Sequence, residues 1–180
     1  ELEDESFALI IADPPYFLSD GKNTNPLSDK GEQVPFTTDW IKLAATKLCK
    51  GGSLFAFGTS HNVYSVAKAC VEAGLQQVQE IIWEKPGVQA NVSKTMWTSS
   101  HETILWFRKG KKHTFHGDPK LHDVWTMEQP RGNEREGHPA EKPVDLIRRI
   151  VEATTHPEDR VLDPFLGSGT TIEACLRLNC

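Results

Sequence analysis

The sequence predicts an α/β fold, a mostly parallel sheet with helices on both faces. Short apolar runs such as Phe7–Ala12 and Ser53–Gly58 alternate with longer stretches whose apolar residues recur at helical spacing. Composition agrees: 180 residues, 38% hydrophobic and 25% charged, describe one globular domain able to bury about two-thirds of its unfolded surface. No apolar run approaches the roughly 20 residues a membrane helix needs, and no signal-peptide pattern precedes the first strand. The chain starts at Glu1 and stops at Cys180 inside a helical pattern, so it reads as a piece of a longer protein, truncated at both ends.

Taken in order, Phe7–Ala12 (FALIIA) is continuously apolar, as a strand buried on both faces must be. Asp39 is placed to cap a helix from Trp40 to Cys49. Ile41, Ala44, Ala45 and Leu48 form its stripe, and Gly51-Gly52 stands ready to end it. Ser53–Gly58 is a second buried strand. Asn62–Ala73 repeats the helical stripe through Val63, Val66, Ala67, Cys70 and Val71, and Gly74 stops it. Val78–Trp83 and Thr103–Phe107 are the third and fourth strands. Pro143 suits the first position of a helix running through Val144, Ile147, Ile150 and Val151. Arg160–Asp163 is a short strand and Thr170–Leu178 a further helix. Phe17–Thr38, Glu84–His101 and Lys109–Pro139 carry no periodicity, and loops of that length in a compact domain are usually functional or mobile.

Cys49, Cys70, Cys175 and Cys180 form no C-x-x-C pair, so neither a zinc nor a redox motif is predicted. Cys49 and Cys70 read as small core residues in a reducing compartment. His113, His116 and His122 lack the ordered spacing of a metal site, and none is predicted. The net charge of -5 argues against whole-molecule attraction to a polyanion. Yet residues 85–149 hold 12 Lys+Arg against 8 Asp+Glu, and five of the seven histidines. A solvated face explains that local balance, and so does a confined nucleic-acid contact.

Two motifs stand at strand ends. Asp13-Pro14-Pro15-Tyr16 follows the first strand directly. A strand-ending turn accounts for it, since Pro-Pro cannot continue a ladder. It also has a chemical reading. Two prolines remove two N–H donors and leave a rigid corner of acceptors, the Asp13 carboxylate and the Pro14 carbonyl. Such a corner suits an amino group that must donate two hydrogen bonds, and Tyr16 offers a flat face on which a planar ring stacks. The second motif, Asp163-Pro164-Phe165-Leu166-Gly167-Ser168-Gly169-Thr170-Thr171, joins a strand to a helix through a glycine turn that lets backbone approach a ligand. No Lys follows the second glycine, which excludes a Walker loop. An acid at the strand end attracts an ammonium or sulfonium and repels a phosphate, favouring S-adenosylmethionine over a nucleotide polyphosphate.

Together these motifs resemble the DNA amino-methyltransferases, which methylate N6 of adenine or N4 of cytosine, over nearly the whole chain. The tetrapeptide at 13–16 resembles that family's catalytic motif, and the run at 163–171 its cofactor motif. His138-Pro139-Ala140-Glu141-Lys142-Pro143 is similar to its H-P-x-x-K-P element. Ile82-Trp83-Glu84-Lys85 and His101-Glu102-Thr103-Ile104-Leu105-Trp106-Phe107 are similar to later strands of its catalytic half. Catalytic motif first and cofactor motif last matches the permuted beta arrangement. The resemblance thus implies a Rossmann-like S-adenosylmethionine-dependent methyltransferase fold. Residues 1–107 would be the catalytic half, 108–137 a short target-recognition segment and 138–180 an incomplete cofactor half. An acidic residue about 20 positions beyond the glycine turn, which holds ribose hydroxyls in such folds, lies past Cys180.

The implied roles follow. Asp13 and Pro14 accept both N–H bonds of an exocyclic amine and localise its lone pair, with Pro15 and Tyr16 completing the corner, after the nucleotide has left the duplex. Phe17–Thr38 is placed to close over base and cofactor. Asp163 takes the amino group of the methionine moiety, Phe165 packs on the cofactor, and Gly167, Ser168 and Gly169 line its path. Thr170 and Thr171 cap the helix or reach the carboxylate, and Lys142 is a second candidate for that carboxylate. Arg108, Lys109, Lys111 and Lys112 are expected to contact phosphates. The partner is double-stranded DNA, in the cytoplasm of a bacterial, archaeal or phage-infected cell, with a homodimer as one arrangement that would help to read the target. Asp rather than Ser at position 13 leans toward adenine. N4 of cytosine, an RNA or protein-glutamine substrate, and a catalytically silent DNA-binding fragment are the competing readings.

Overall fold

The computed structural model describes residues 2–15, 38–60, 62–88, 95–130 and 141–180. In chain order the elements are β1 (Phe7–Ala12), α1 (Asp39–Lys47), β2 (Leu48–Gly58), α2 (Val63–Glu72), β3 (Gln76–Glu84), β4 (His101–Arg108), β5 (Val124–Thr126), α3 (Val144–Thr154), β6 (Val161–Leu162) and α4 (Thr170–Leu178). The strands form one sheet in the order β5-β3-β4-β2-β1-β6. β1 runs parallel to β2 and β6, and β3 parallel to β5.

β4 departs from that pattern and is antiparallel to both β2 and β3. It follows β3 through the segment 85–100, whose described residues hold no crossover helix. A chain that turns straight back beside its predecessor can only pair antiparallel. The C-terminal ends of β1, β2, β3 and β6 and the N-terminal end of β4 therefore share one edge of the sheet. Along it Ala12 faces Ala56, Gly58 faces Thr103 and Glu84 faces His101.

Helices cover both faces. Ile41, Ala44 and Ala45 of α1 and Val63, Val66 and Cys70 of α2 pack with Ile10, Leu54, Ala56, Leu105 and Phe107. Leu146, Ile147, Ile150 and Val151 of α3 and Ala174 of α4 pack with Leu9, Ile11, Phe55, Phe57, Ile81 and Ile104. Alternate residues of β1 thus enter opposite cores, which is why it reads as an unbroken apolar run. Among the described residues no helix is long and apolar enough to cross a membrane.

Four local expectations are corrected. Thr38, not Asp39, holds the N-cap position of α1, and Asp39 sits in the first turn, where its charge favours the helix dipole. That helix ends at Lys47, and Gly51-Gly52 lies inside β2. Gly51 has φ 85 where the β1–β2 register jumps, Phe7 facing Leu48 and Leu9 facing Ser53. The glycines accommodate this irregularity and do not stop the helix. Val71 of α2 is 59% exposed, so the apolar stripe is narrower than the sequence implies. Pro143 occupies the N-cap of α3, one place before the first helical position.

Candidate active site

The two Asp-Pro motifs leave the sheet side by side. In the β1–β6 pair Leu9 faces Val161 and Ile10 faces Leu162, and both strands run on directly into their aspartates. Proline, unable to donate to a ladder, ends each of them there. Asp163 is fixed from both oxygens. Oδ1 accepts the Phe165 N–H at 2.9 Å and Oδ2 accepts the Thr171 hydroxyl at 2.6 Å. Burial pushes the Asp163 carboxyl above the ordinary range. The bonds from Thr171 and Phe165 oppose that, and the negative charge of Asp13 adds to it. A carboxylate held in its charged form against burial favours a cationic ligand beside it.

Between β6 and α4 the chain turns on Gly167 (φ 56) and Gly169 (φ 88), left-handed conformations that glycine adopts without cost. Gly169 is the N-cap of α4, and the place where a Cβ would stand is open. Thr170 and Thr171 are buried and make no cap bond. Thr171 holds Asp163, and Thr170 Oγ1 lies 3.0 Å from Ser168 Oγ. Phe165 meets Trp40, at the start of α1, edge-on at 5.4 Å. Among the described residues the buried Trp40 Nε1 has no hydrogen-bond partner. A buried indole N–H left in that state is costly unless a ligand acceptor takes it. The pattern of Trp40 gave no sign of this, because it reads as an ordinary residue of an amphipathic helix.

A chain of alternating charges runs along the same edge. Lys142 Nζ donates to Asp13 Oδ2 at 2.6 Å and lies 3.4 Å from Glu102 Oε2, and Glu102 Oε1 accepts from Lys85 Nζ at 2.7 Å. Lys142 is 7% exposed, and its ammonium stands 5.3 Å from the centre of the Phe57 ring. Burial works against that charge, but the Asp13 and Glu102 carboxylates more than offset it and hold the ammonium above the ordinary lysine range. The sequence placed Lys142 beside a cofactor carboxylate, whereas the structure gives it to Asp13. Glu102 and Lys85 went unnoticed as site residues. Their signal was that they stand in the two segments, 82–85 and 101–107, that are similar to strands of the family's catalytic half.

Other candidates are placed differently. Tyr16 and His138-Pro139-Ala140 lie outside the described residues, as does all but Thr38 of the segment Phe17–Thr38. Pro14 is buried and Pro15 exposed. Arg108 faces Ser53, at the far end of the β2–β4 ladder from the catalytic edge, because β4 is antiparallel. The four residue steps from Ser53 to Phe57, the level of Asp13, span about 13 Å. Arg108 is bonded to Gln76 Oε1 at 3.2 Å and stands beside His113. Lys109 Nζ donates to the carbonyls of Ala45 and Leu48, both at 2.8 Å, and pairs with Glu5. It closes the end of α1, with its side chain 24% exposed. Lys111 and Lys112 are exposed.

Comparison with known proteins fits this geometry. A family profile described as DNA methylase, of the N6/N4 amino-methylating class, matches residues 7–180. The type II methyltransferase M2.LlaDCHI of Lactococcus lactis subsp. cremoris is 36% identical over 205 aligned residues, covering 99% of this chain and 76% of the relative. M2.DpnII of Streptococcus pneumoniae is 37% identical with the same coverage. The crystal structure of the M1.HpyAVI–SAM complex superposes with a TM-score of 0.75 at 28% identity, covering 97% of this chain and 79% of that one.

Proposed function

This chain belongs to the N6/N4 DNA methylase family, a DNA methyltransferase that uses S-adenosylmethionine, and we propose that it methylates N6 of adenine in double-stranded DNA after the target nucleotide has swung out of the duplex. The observation that carries this reading is the parallel pairing of β1 with β6, which delivers Asp13 and Asp163 to the same edge.

The residues present suit the cofactor. Asp163 disfavours further negative charge, the glycine turn leaves open space at Gly169, and Trp40 Nε1 is an unused donor. Asp163 would bind the ammonium of the methionine moiety, the Gly167–Gly169 backbone its path, and Phe165 and Trp40 an adjoining wall. Bound there, the cofactor supplies a methyl group made electrophilic by its sulfonium.

The chain's own residues prepare the amine. Asp13 and the Pro14 carbonyl accept its two N–H bonds. This draws the nitrogen lone pair out of the ring and aims it at the methyl carbon. Lys142 fixes the direction of the Asp13 carboxylate, which then faces the positive charge building on nitrogen. The new N–C bond forms as the C–S bond breaks, and the surplus amine proton leaves to Asp13 or water. Tyr16 stacks on the extruded base. Of the basic cluster, Lys111 and Lys112 are the residues exposed to meet a phosphate, while Arg108 and Lys109 serve the fold. Residues 1–107 form the catalytic half, 108–137 part of target recognition and 138–180 the cofactor half. The enzyme works in the bacterial cytoplasm, and a second copy of the chain would extend its reading of the target.

Asp at position 13 supports adenine over cytosine. Methylation of synthetic duplexes, followed by digestion to nucleosides, tests this. N6-methyl-2′-deoxyadenosine is expected, and N4-methyl-2′-deoxycytidine as the sole product would overturn it. The same assay on Asp13→Ala is expected to show no methyl transfer while cofactor binding, measured by calorimetry, persists.

A further inference from the structure

We propose that Trp97, shortly before β4, stacks on a base beside the extruded adenine. The inference rests on Asp13 being the corner that holds the amine.

Its first support is exposure. Trp97 is 94% exposed and the adjoining Met96 70% exposed. Two large apolar side chains standing together in water mark a contact surface, and an indole offers the widest flat face of any side chain.

The second is position. Glu84 faces His101 at the last rung of the β3–β4 ladder, and the Lys85 N–H continues it to the Ser100 carbonyl at 2.7 Å. Both feet of the segment are therefore clamped at the edge where β1 delivers Asp13. They also share its scaffold. Lys85 pairs with Glu102 at 2.7 Å, and Lys142 reaches both Glu102 and Asp13. Trp97 thus stands three residues before Ser100, where the chain enters a strand tied to the amine-binding corner through Glu102 and Lys142.

The third is charge. Residues 85–100 include Lys85 and Lys94 and no Asp or Glu, in a chain of net charge -5. The segment itself thus sets no acidic side chain against a phosphate backbone, with Glu84 exposed at its foot. A DNA methyltransferase must seat DNA over its catalytic edge in every turnover, so the occupant of this surface is nucleic acid. A nucleotide leaving the stack opens a gap in it. A planar side chain entering that gap restores the stacking its neighbours lose.

The test compares Trp97→Ala and Trp97→Phe with the parent enzyme on a matched duplex and on one whose target adenine is mispaired. Trp97→Ala is expected to weaken duplex binding roughly 5- to 100-fold, the usual effect of removing one stacking contact. The loss should appear mainly in KM for DNA, with cofactor affinity and melting temperature unchanged. Trp97→Phe recovers most of the affinity. The mispaired duplex, already partly open, suffers less from the alanine change. Matched-duplex binding and methylation equal to the parent's in Trp97→Ala would overturn the proposal, as would an equal loss of cofactor binding. Asp13→Ala separates the two readings. It should abolish methyl transfer yet keep Trp97-dependent binding, and normal methylation by Asp13→Ala would remove the amine-corner reading whatever Trp97 does.

Discussion

Replacing Lys142 with methionine keeps most of the side chain's bulk and removes its charge. The ammonium is nearly buried and lies 2.6 Å from Asp13 and 3.4 Å from Glu102. Removing one member of a buried ion pair typically costs about 3–5 kcal/mol, because the other is left uncompensated. Here the lower end applies, about 3 kcal/mol. The Asp13 side chain is 25% exposed, and Glu102 retains Lys85. In a domain of this size that loss lowers Tm by about 6–12 °C. The kinetic effect is separate: an Asp13 carboxylate no longer held in direction should reduce kcat about 100-fold, the scale of a misplacement near 1 Å. Assays run well below the variant's Tm, with cofactor and DNA varied independently, separate the terms. A large rise in KM for S-adenosylmethionine with kcat intact would refute this reasoning and return Lys142 to the cofactor carboxylate. The sign of the pH effect is fixed too. A group whose folded pKa is raised lends stability that is complete below its ordinary value of 10.5 and is lost as pH rises through the folded value. The parent should therefore lose stability in that alkaline range, and Lys142→Met should lack that component.

Two further substitutions probe the site and its surroundings. Asp163 is raised above its ordinary 3.8, chiefly by burial, so the stability it lends is complete below 3.8 and declines as pH rises through the folded value. Asp163→Asn keeps one acceptor, for the Phe165 N–H, and presents an NH2 donor that the Thr171 hydroxyl accepts by turning, so at pH 7 its melting temperature should equal or exceed the parent's while cofactor affinity falls at least about 10-fold. A clear loss of stability would contradict the assigned strain. Lys109→Met should cost about 1–2 kcal/mol by freeing the carbonyls of Ala45 and Leu48. The salt dependence of DNA binding should not change, and a reduced slope would restore Lys109 as a phosphate contact.

What the sequence disclosed depended on whether a residue's role is local. FALIIA declared a strand buried on both faces, and the Asp-Pro and glycine corners declared themselves because proline and glycine restrict or free their own backbone. TILWF declared a strand but not its direction. An apolar run carries no sign of whether it pairs parallel or antiparallel, and that single reversal moved Arg108 and Lys109 to the far edge. The Lys142–Asp13 bond joins residues 129 positions apart, so no spacing rule reaches it. Val124–Thr126 escaped because three residues show no period; β5 exists by pairing with β3.

The most direct test of the account is a crystal structure with S-adenosylhomocysteine bound. Its amino group should lie against Asp163, with the sulfur directed toward Asp13 and Pro14 across a gap that admits an amine. A ligand bound away from the β1 and β6 ends, or with its sulfur turned from Asp13, would contradict a shared site.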